Sequence, residues 1–130
     1  MTTETVLLIR EYATGTQRYE LGLPKGKVEI GEDILTAANR EIMEEVGYGA
    51  NDIRLLKQVT LAPGYMAHRT HVLFAQDLYS AKLEGDEPEP LAVIPWKLKH
   101  LDQLVYSNEC SEGRSLLALY MVRDLLSSQK

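Results

Sequence analysis

The pattern of apolar and polar positions predicts an alternation of strands and helices. Thr5-Val6-Leu7-Leu8-Ile9 is apolar and rich in β-branched residues, which predicts a buried strand. Thr14-Gly15-Thr16 supplies a turn, and Arg18-Tyr19-Glu20-Leu21 begins a returning strand. Residues 22–31 contain three glycines and a proline, the composition of a tight, shaped loop. From Asp33 to Val46 the spacing is helical, with Leu35, Ala38, Ile42 and Val46 on one face. Asp33 is placed to cap the start of this helix, and Gly47 to end it in a left-handed conformation.

Two further strands are predicted over Ile53–Leu61 and Thr70–Ala75, then an acidic loop over Glu84–Pro90. A last strand, Leu91–Trp96, is interrupted by Pro95, and helices follow near Leu101–Val105 and Glu112–Leu126. No repeat, low-complexity tract or linker divides the chain, so residues 1–130 are expected to form one α+β domain.

Composition narrows the class. The chain has 130 residues, 45% hydrophobic and 25% charged, the balance of an ordinary globular protein. A net charge of −5 argues against sequence-independent nucleic-acid binding. The same acidity is awkward for handling phosphates unless a bound cation mediates the contact. The single Cys110 has no internal disulfide partner, which points to a reducing cytoplasm and to an inert thiol. No signal peptide and no apolar run long enough to span a membrane is found.

Chemistry concentrates between Gly26 and Tyr48. Glu41, Glu44 and Glu45 lie three or four residues apart on the predicted helix and crowd one side of it. Like charges at this spacing cost a few tenths of a kcal/mol per pair, so the arrangement needs an offset. Arg40 can pair with Glu44 at i,i+4, and a divalent cation would neutralise the rest. Hard carboxylate oxygens suit magnesium or manganese. The preceding glycine-rich loop can bring a backbone carbonyl to the same ion. Taken alone, a Glu-x-x-Glu-Glu is usually a solvated helix face.

The wider spacing is more specific. Gly26, five residues, Glu32, seven residues, then Arg40-Glu41-Ile42-Met43-Glu44-Glu45-Val46-Gly47-Tyr48 fits the Nudix box at every defined position. On these residues the chain resembles the Nudix hydrolases. Arg10-Glu11-Tyr12-Ala13, Tyr19-Glu20-Leu21-Gly22, Gly49-Ala50-Asn51-Asp52 and Leu83–Leu91 extend the resemblance to a bacterial branch acting on ADP compounds.

The resemblance implies an α/β/α sandwich with a mixed sheet, and metal-dependent cleavage of a diphosphate bond that releases AMP. The implied substrates are ADP-ribose, NADH and diadenosine polyphosphates. It further implies Glu41 and Glu45 as ligands of magnesium, with manganese as a substitute, and Glu44 as a third ligand or the partner of Arg40. The carbonyl of Lys25 or Gly26 would complete the shell, and Glu32 would support it from behind. The general base is expected from the acidic loop at Glu87, with Glu89 as a further metal contact; Glu84 and Asp86 are the alternatives. Related ADP-ribose hydrolases are homodimers whose N-terminal strands help form the adenine pocket. This sequence begins almost at the strand leading into the core, so that extra sheet is expected to be absent.

Arg10, Arg18 and Arg69 are candidate phosphate contacts, and Tyr65 is a candidate for stacking on adenine, although ordinary surface or packing roles are commoner for such residues. His68 and His71, three apart on a strand, face opposite sides and make a poor metal pair. Other readings are a catalytically weak nucleotide-binding regulatory module, a structural protein with solvent-facing glutamates, and an enzyme for nucleoside triphosphates or RNA caps. Flanking loops, not the box, choose the substrate.

Overall fold

The computed structural model describes residues 4–85 and 90–128. It divides into two compact units, residues 1–25 with 85–130, and residues 26–84. The class is α+β, as the sequence pattern predicts.

The first unit contains β1 (Thr5–Ala13), β2 (Arg18–Gly22) and β5 (Ala92–Lys97), followed by a single 3-10 turn (Leu98–His100), α2 (Leu101–Val105) and α3 (Gly113–Ser128). The sheet order is β2-β1-β5, with β1 antiparallel to both neighbours. Leu8 and Ile9 point to opposite faces of the central strand, and both are at most 2% exposed, so β1 is covered on both sides there. That explains why its sequence runs apolar instead of alternating.

Pro95 does not interrupt the last strand as expected. It sits within β5 opposite Leu7, and β5 has β1 as its sheet neighbour on one side. A proline is tolerated on such an edge because its missing N–H removes no ladder bond from the far side. The core of this unit joins Leu8 and Leu21 to Leu98, Leu101, Leu104, Cys110 and Leu119. Trp96 packs against it, with its indole N–H donating to the His100 carbonyl at 3.0 Å. Burial pushes the Cys110 thiol up, away from the reactive thiolate.

The second unit holds α1 (Ile34–Glu45), β3 (Tyr48–Thr60) and β4 (Arg69–Ser80). Asp33 caps α1 by accepting the N–H groups of Leu35 and Thr36, both at 3.1 Å. Gly47 ends it at φ +85°, a conformation open to glycine at no steric cost. The two strands form one long antiparallel hairpin with a bulge between Leu55 and Lys57. They extend several residues beyond the predicted ranges, toward Tyr48 and Ser80. Polar residues there hold each other across the ladder, with the Asn51 amide donating to Asp77 at 3.2 Å.

Asn39 fastens α1 to this end of the hairpin. Its carbonyl accepts the Ala50 N–H at 2.9 Å, and its amide reaches the Tyr79 hydroxyl at 3.4 Å. All the ladders among the described residues are antiparallel. Among those residues no helix is long and apolar enough to cross a membrane.

Leu8 is fully buried in the first unit's core, whereas Leu117 on α3 is 42% exposed. Leu8→Ala is therefore expected to lower unfolding free energy by about 2–5 kcal/mol, and Leu117→Ala by roughly 0.5 kcal/mol or less, in urea titrations.

Candidate functional site

The acidic face of α1 is organised by one arginine. Arg40 grips Glu32 with two parallel bonds, Nε to Oε2 and Nη2 to Oε1, both at 3.0 Å. Its remaining terminal nitrogen donates to Glu41 Oε1 at 3.1 Å and to Glu44 Oε1 at 3.4 Å. Nη2 also reaches the Lys27 carbonyl at 3.4 Å. One guanidinium thus spans three carboxylates and the preceding loop. Such planar, bidentate contact is the strong form of a charged hydrogen bond.

The loop is shaped to meet that arginine. Glu29-Ile30-Gly31-Glu32 forms a turn in which the Glu32 N–H donates to the Glu29 carbonyl at 2.9 Å, with Gly31 at φ +81°. Glu32 Oε1 accepts the Glu29 N–H at 3.0 Å, so the turn fixes the carboxylate that receives Arg40. The Arg40 hydrogen bonds hold the Glu32 carboxyl below its ordinary value, and the same contacts push the Arg40 guanidinium up.

Gly26 marks the closest approach. A Cβ at that position would collide with the Cδ and Oε1 atoms of Glu41, so the loop backbone lies directly on this carboxylate. Glu45, one turn further, is only 5% exposed, and its Oε2 is shut off from solvent. Of the expected apolar stripe on α1, Val46 is buried and Ala38 and Ile42 are partly buried. Leu35 is 40% exposed, and within the helix itself Ala37 and Glu45 are the buried residues. Glu45 is thus buried beside the apolar stripe.

Segment 81–83 closes the end of this helix. The Ala81 N–H donates to Gly47 O at 3.0 Å and Leu83 N–H to Met43 O at 3.1 Å, while Lys82 Nζ donates to Glu44 O at 2.7 Å. These contacts satisfy carbonyls that a helix end leaves without internal partners, and they set a positive charge against the negative end of the dipole. The acidic stretch beginning at Glu84 therefore leaves from beside the last turn of α1. No sequence signal marked Lys82 or Asn39, because Lys82 lies outside the box and Asn39 at one of its undefined positions.

The donor set is all hard oxygen: the carboxylates of Glu41, Glu44 and Glu45 with loop backbone beside them. This chemistry fits a divalent cation of the magnesium type. Among the described residues, no three acidic, histidine or cysteine side chains already converge as a metal cage.

The family model described as NUDIX domain matches residues 1–119. The chain belongs to the Nudix family. It is 48% identical over 124 residues to ADP compounds hydrolase NudE of Escherichia coli (strain K12), covering 95% of this chain and 67% of that protein. It is 28% identical over 129 residues to ADP-ribose pyrophosphatase of Bacillus subtilis (strain 168), covering 96% of this chain and 70% of that one. Among solved structures, one titled a crystal structure of ADP compounds hydrolase superposes with a TM-score of 0.92 at 46% identity. That superposition covers 99% of this chain and 70% of the other.

Other predicted site residues lie elsewhere. Tyr65, 94% exposed, is in the turn of the β3–β4 hairpin, and Arg69 is the first residue of β4. The Nudix helix docks at the opposite end, at Ala50 and Tyr79. Ten residues of strand at about 3.4 Å each separate Arg69 from Tyr79. Within this unit, Tyr65 and Arg69 do not join the carboxylates, because the hairpin is longer than the sequence suggested. Arg10 and Arg18 are engaged by acids, Arg10 by Glu109 at 3.0 Å and Arg18 by Glu20 at 3.3 Å. The Lys25 ammonium donates to the Leu23 carbonyl at 2.8 Å. Glu87 and Glu89 lie outside the described residues.

The sign of the pH dependence follows from Glu32, whose folded value is lowered from 4.5. Its ion pair contributes stability that is complete above 4.5 and is lost as pH falls through the lowered folded value. Glu32→Gln should therefore flatten the acid limb of a plot of urea midpoint against pH, and high salt should shrink the difference between the two proteins.

Proposed function

We propose that this Nudix chain is a metal-dependent pyrophosphohydrolase that cleaves the diphosphate bond of ADP-containing nucleotides and releases AMP. ADP-ribose, NADH and diadenosine polyphosphates are the substrate set. The observation that carries the reading is the Gly26–Glu41–Arg40–Glu32 arrangement, which sets a row of carboxylates against loop backbone on one helix turn. The names of the similar proteins from Escherichia coli and Bacillus subtilis support the ADP-containing class.

In this reading Glu41 and Glu45 hold a divalent cation, magnesium or manganese, with Glu44 and the carbonyl of Lys25 or Gly26 as further donors. Bound there, the cation supplies neutralisation of the diphosphate oxygens and an acidified water. The chain's own residues do the rest. Arg40 holds Glu41 and Glu44 in place until the cation takes over its contact to Glu41, while Glu32 holds Arg40 from behind. Burial of Glu45 limits its rotamers and keeps its carboxylate aimed at one place. Glu87 is proposed as the general base and Glu89 as an additional ligand. Their loop starts beside the helix end where Leu83 and Lys82 are bonded.

A net charge of −5 favours a small nucleotide whose phosphates meet a cation over a nucleic acid. Phosphate contacts from Arg10 and Arg18 require those side chains to leave Glu109 and Glu20. The buried single thiol suits a reducing cytoplasm. A homodimer belongs to the reading on the strength of the family resemblance.

Incubation with ADP-ribose, NADH and diadenosine triphosphate plus magnesium should release AMP from at least one of them, and chelation should stop it. Binding of these nucleotides without AMP release under saturating metal would instead mark a regulatory module. Glu45→Gln is expected to lower kcat by about 10²-fold or more with the fold retained by circular dichroism. Gly26→Ala, which drives a methyl group into the Glu41 carboxylate, is expected to lower kcat by about tenfold or more while leaving the urea midpoint nearly unchanged.

A further inference from the structure

Asparagine is a poor residue for a helix interior, because its short amide competes for backbone hydrogen bonds. Asn39 nevertheless sits in the middle of α1, directly before Arg40. Its side chain binds the β3–β4 hairpin at two points. Oδ1 accepts the Ala50 N–H at 2.9 Å, and Nδ2 donates to the Tyr79 hydroxyl at 3.4 Å. A backbone N–H can only donate, so Ala50 fixes which end of the amide faces β3.

Both partners are themselves placed by the hairpin. Among the described residues β3 pairs with one strand, β4, so alternate N–H groups along it face away from the ladder. Ala50 is buried, and Asn39 gives its N–H the acceptor that a neighbouring strand would otherwise supply. Gly49 and Tyr79 stand opposite each other in the ladder, and a Cβ on Gly49 would collide with the Cζ and hydroxyl of Tyr79. The tyrosine ring therefore lies on the Gly49 backbone, with its hydroxyl turned toward α1.

The carboxylates are on the other side of the helix. At 3.6 residues per turn, Glu41, Glu44 and Glu45 lie about 120–160° around the axis from Asn39. The apolar contacts of Ile42 and Val46 hold α1 down without direction, so a small roll of the helix leaves their burial nearly unchanged. A hydrogen bond to backbone has a preferred line and resists that roll. A carboxylate about 6 Å from the axis moves about 1 Å when the helix turns by about 10°. The fit on the far side is tight, since the Gly26 backbone against Glu41 leaves no room even for a methyl group. An error of about 1 Å in a catalytic arrangement can cost about a hundredfold in rate.

We propose that Asn39 is a positioning residue of the Nudix site, setting the rotation of α1 against the hairpin and with it the placement of Glu41 and Glu45 for the cation. The proposal rests on the reading of those two carboxylates as cation ligands. Every group in it belongs to the unit of residues 26–84. A residue that orients ligands from behind alters metal affinity, whereas one that merely stabilises the fold lowers the melting temperature with no selective effect on the ion.

The test is calorimetric titration of Mn2+ into the whole chain, with melting temperature, kcat and KM measured in parallel. Asn39→Ala improves the helix former and removes both bonds, and it should bind Mn2+ about tenfold more weakly and lose kcat with little change in KM. Val72→Ala truncates a buried side chain of β4, about 24 Å along the strand from Tyr79. It should melt at a lower temperature and bind Mn2+ as the wild type does. If Asn39→Ala does not fold, Tyr79→Phe keeps the ring, deletes one of the two bonds and should weaken Mn2+ binding about threefold. Wild-type affinity in Asn39→Ala, or in Tyr79→Phe where the first variant does not fold, would overturn the proposal and leave the metal site standing. An equal loss in Val72→Ala would do the same, because the effect would then be one of general stability. A wild-type chain that takes up no Mn2+ would overturn the metal reading and this proposal with it.

Discussion

Everything at the site depends on the guanidinium of Arg40. Without a cation between them, Glu32, Glu41 and Glu44 would repel each other across a space a few ångströms wide. A single planar group with five N–H donors can engage all three at once, and a lysine in its place, with one compact charge, could not span them. The bidentate grip on Glu32 is the anchor. The contacts to Glu41 at 3.1 Å and Glu44 at 3.4 Å use the remaining terminal nitrogen and are the ones an incoming ion could take over. On the proposed reading, metal binding is an exchange between cations, with Arg40 keeping its place on Glu32.

The rest of the second unit supports the arrangement around Arg40. Gly26 lets backbone reach the Glu41 carboxylate, and the Gly31 turn presents Glu32 to Arg40. Asn39 and Lys82 fasten the helix to the hairpin and to the segment after it, so the carboxylates project from a supported element. The hydrogen bonds that place each part are mostly to backbone, which has few alternative positions. In the first unit, taken by itself, the Leu23 N–H is bound by the buried Ser115 hydroxyl at 3.0 Å.

Much of this was legible in the sequence. The Asp33 cap and Gly47 terminator were readable because capping chemistry is local, and the box from Gly26 to Tyr48 named the family because its spacing is long and specific. Features set by distant residues were not legible. Glu45 occupies a core-facing position although its charge predicts exposure, and Leu35 is exposed although its spacing predicts burial. The β3–β4 hairpin runs on past Asn51 and Asp77 because those polar residues bond across the ladder, which no single-strand pattern reveals. That extra length is what carries Tyr65 and Arg69 away from the carboxylates. Ser115 carried no signal in the sequence, since the Leu23 N–H that its hydroxyl accepts lies in a loop far away along the chain.

The most direct measurement is a crystal structure of the chain grown with magnesium and a non-hydrolysable ADP-ribose analogue. The account predicts an ion held by Glu41 and Glu45 against the diphosphate, with Arg40 withdrawn from Glu41 and still paired to Glu32. A diphosphate bound elsewhere, with Arg40 still bonded to Glu41 and Glu44 and no ion between the helix and the ligand, would contradict it.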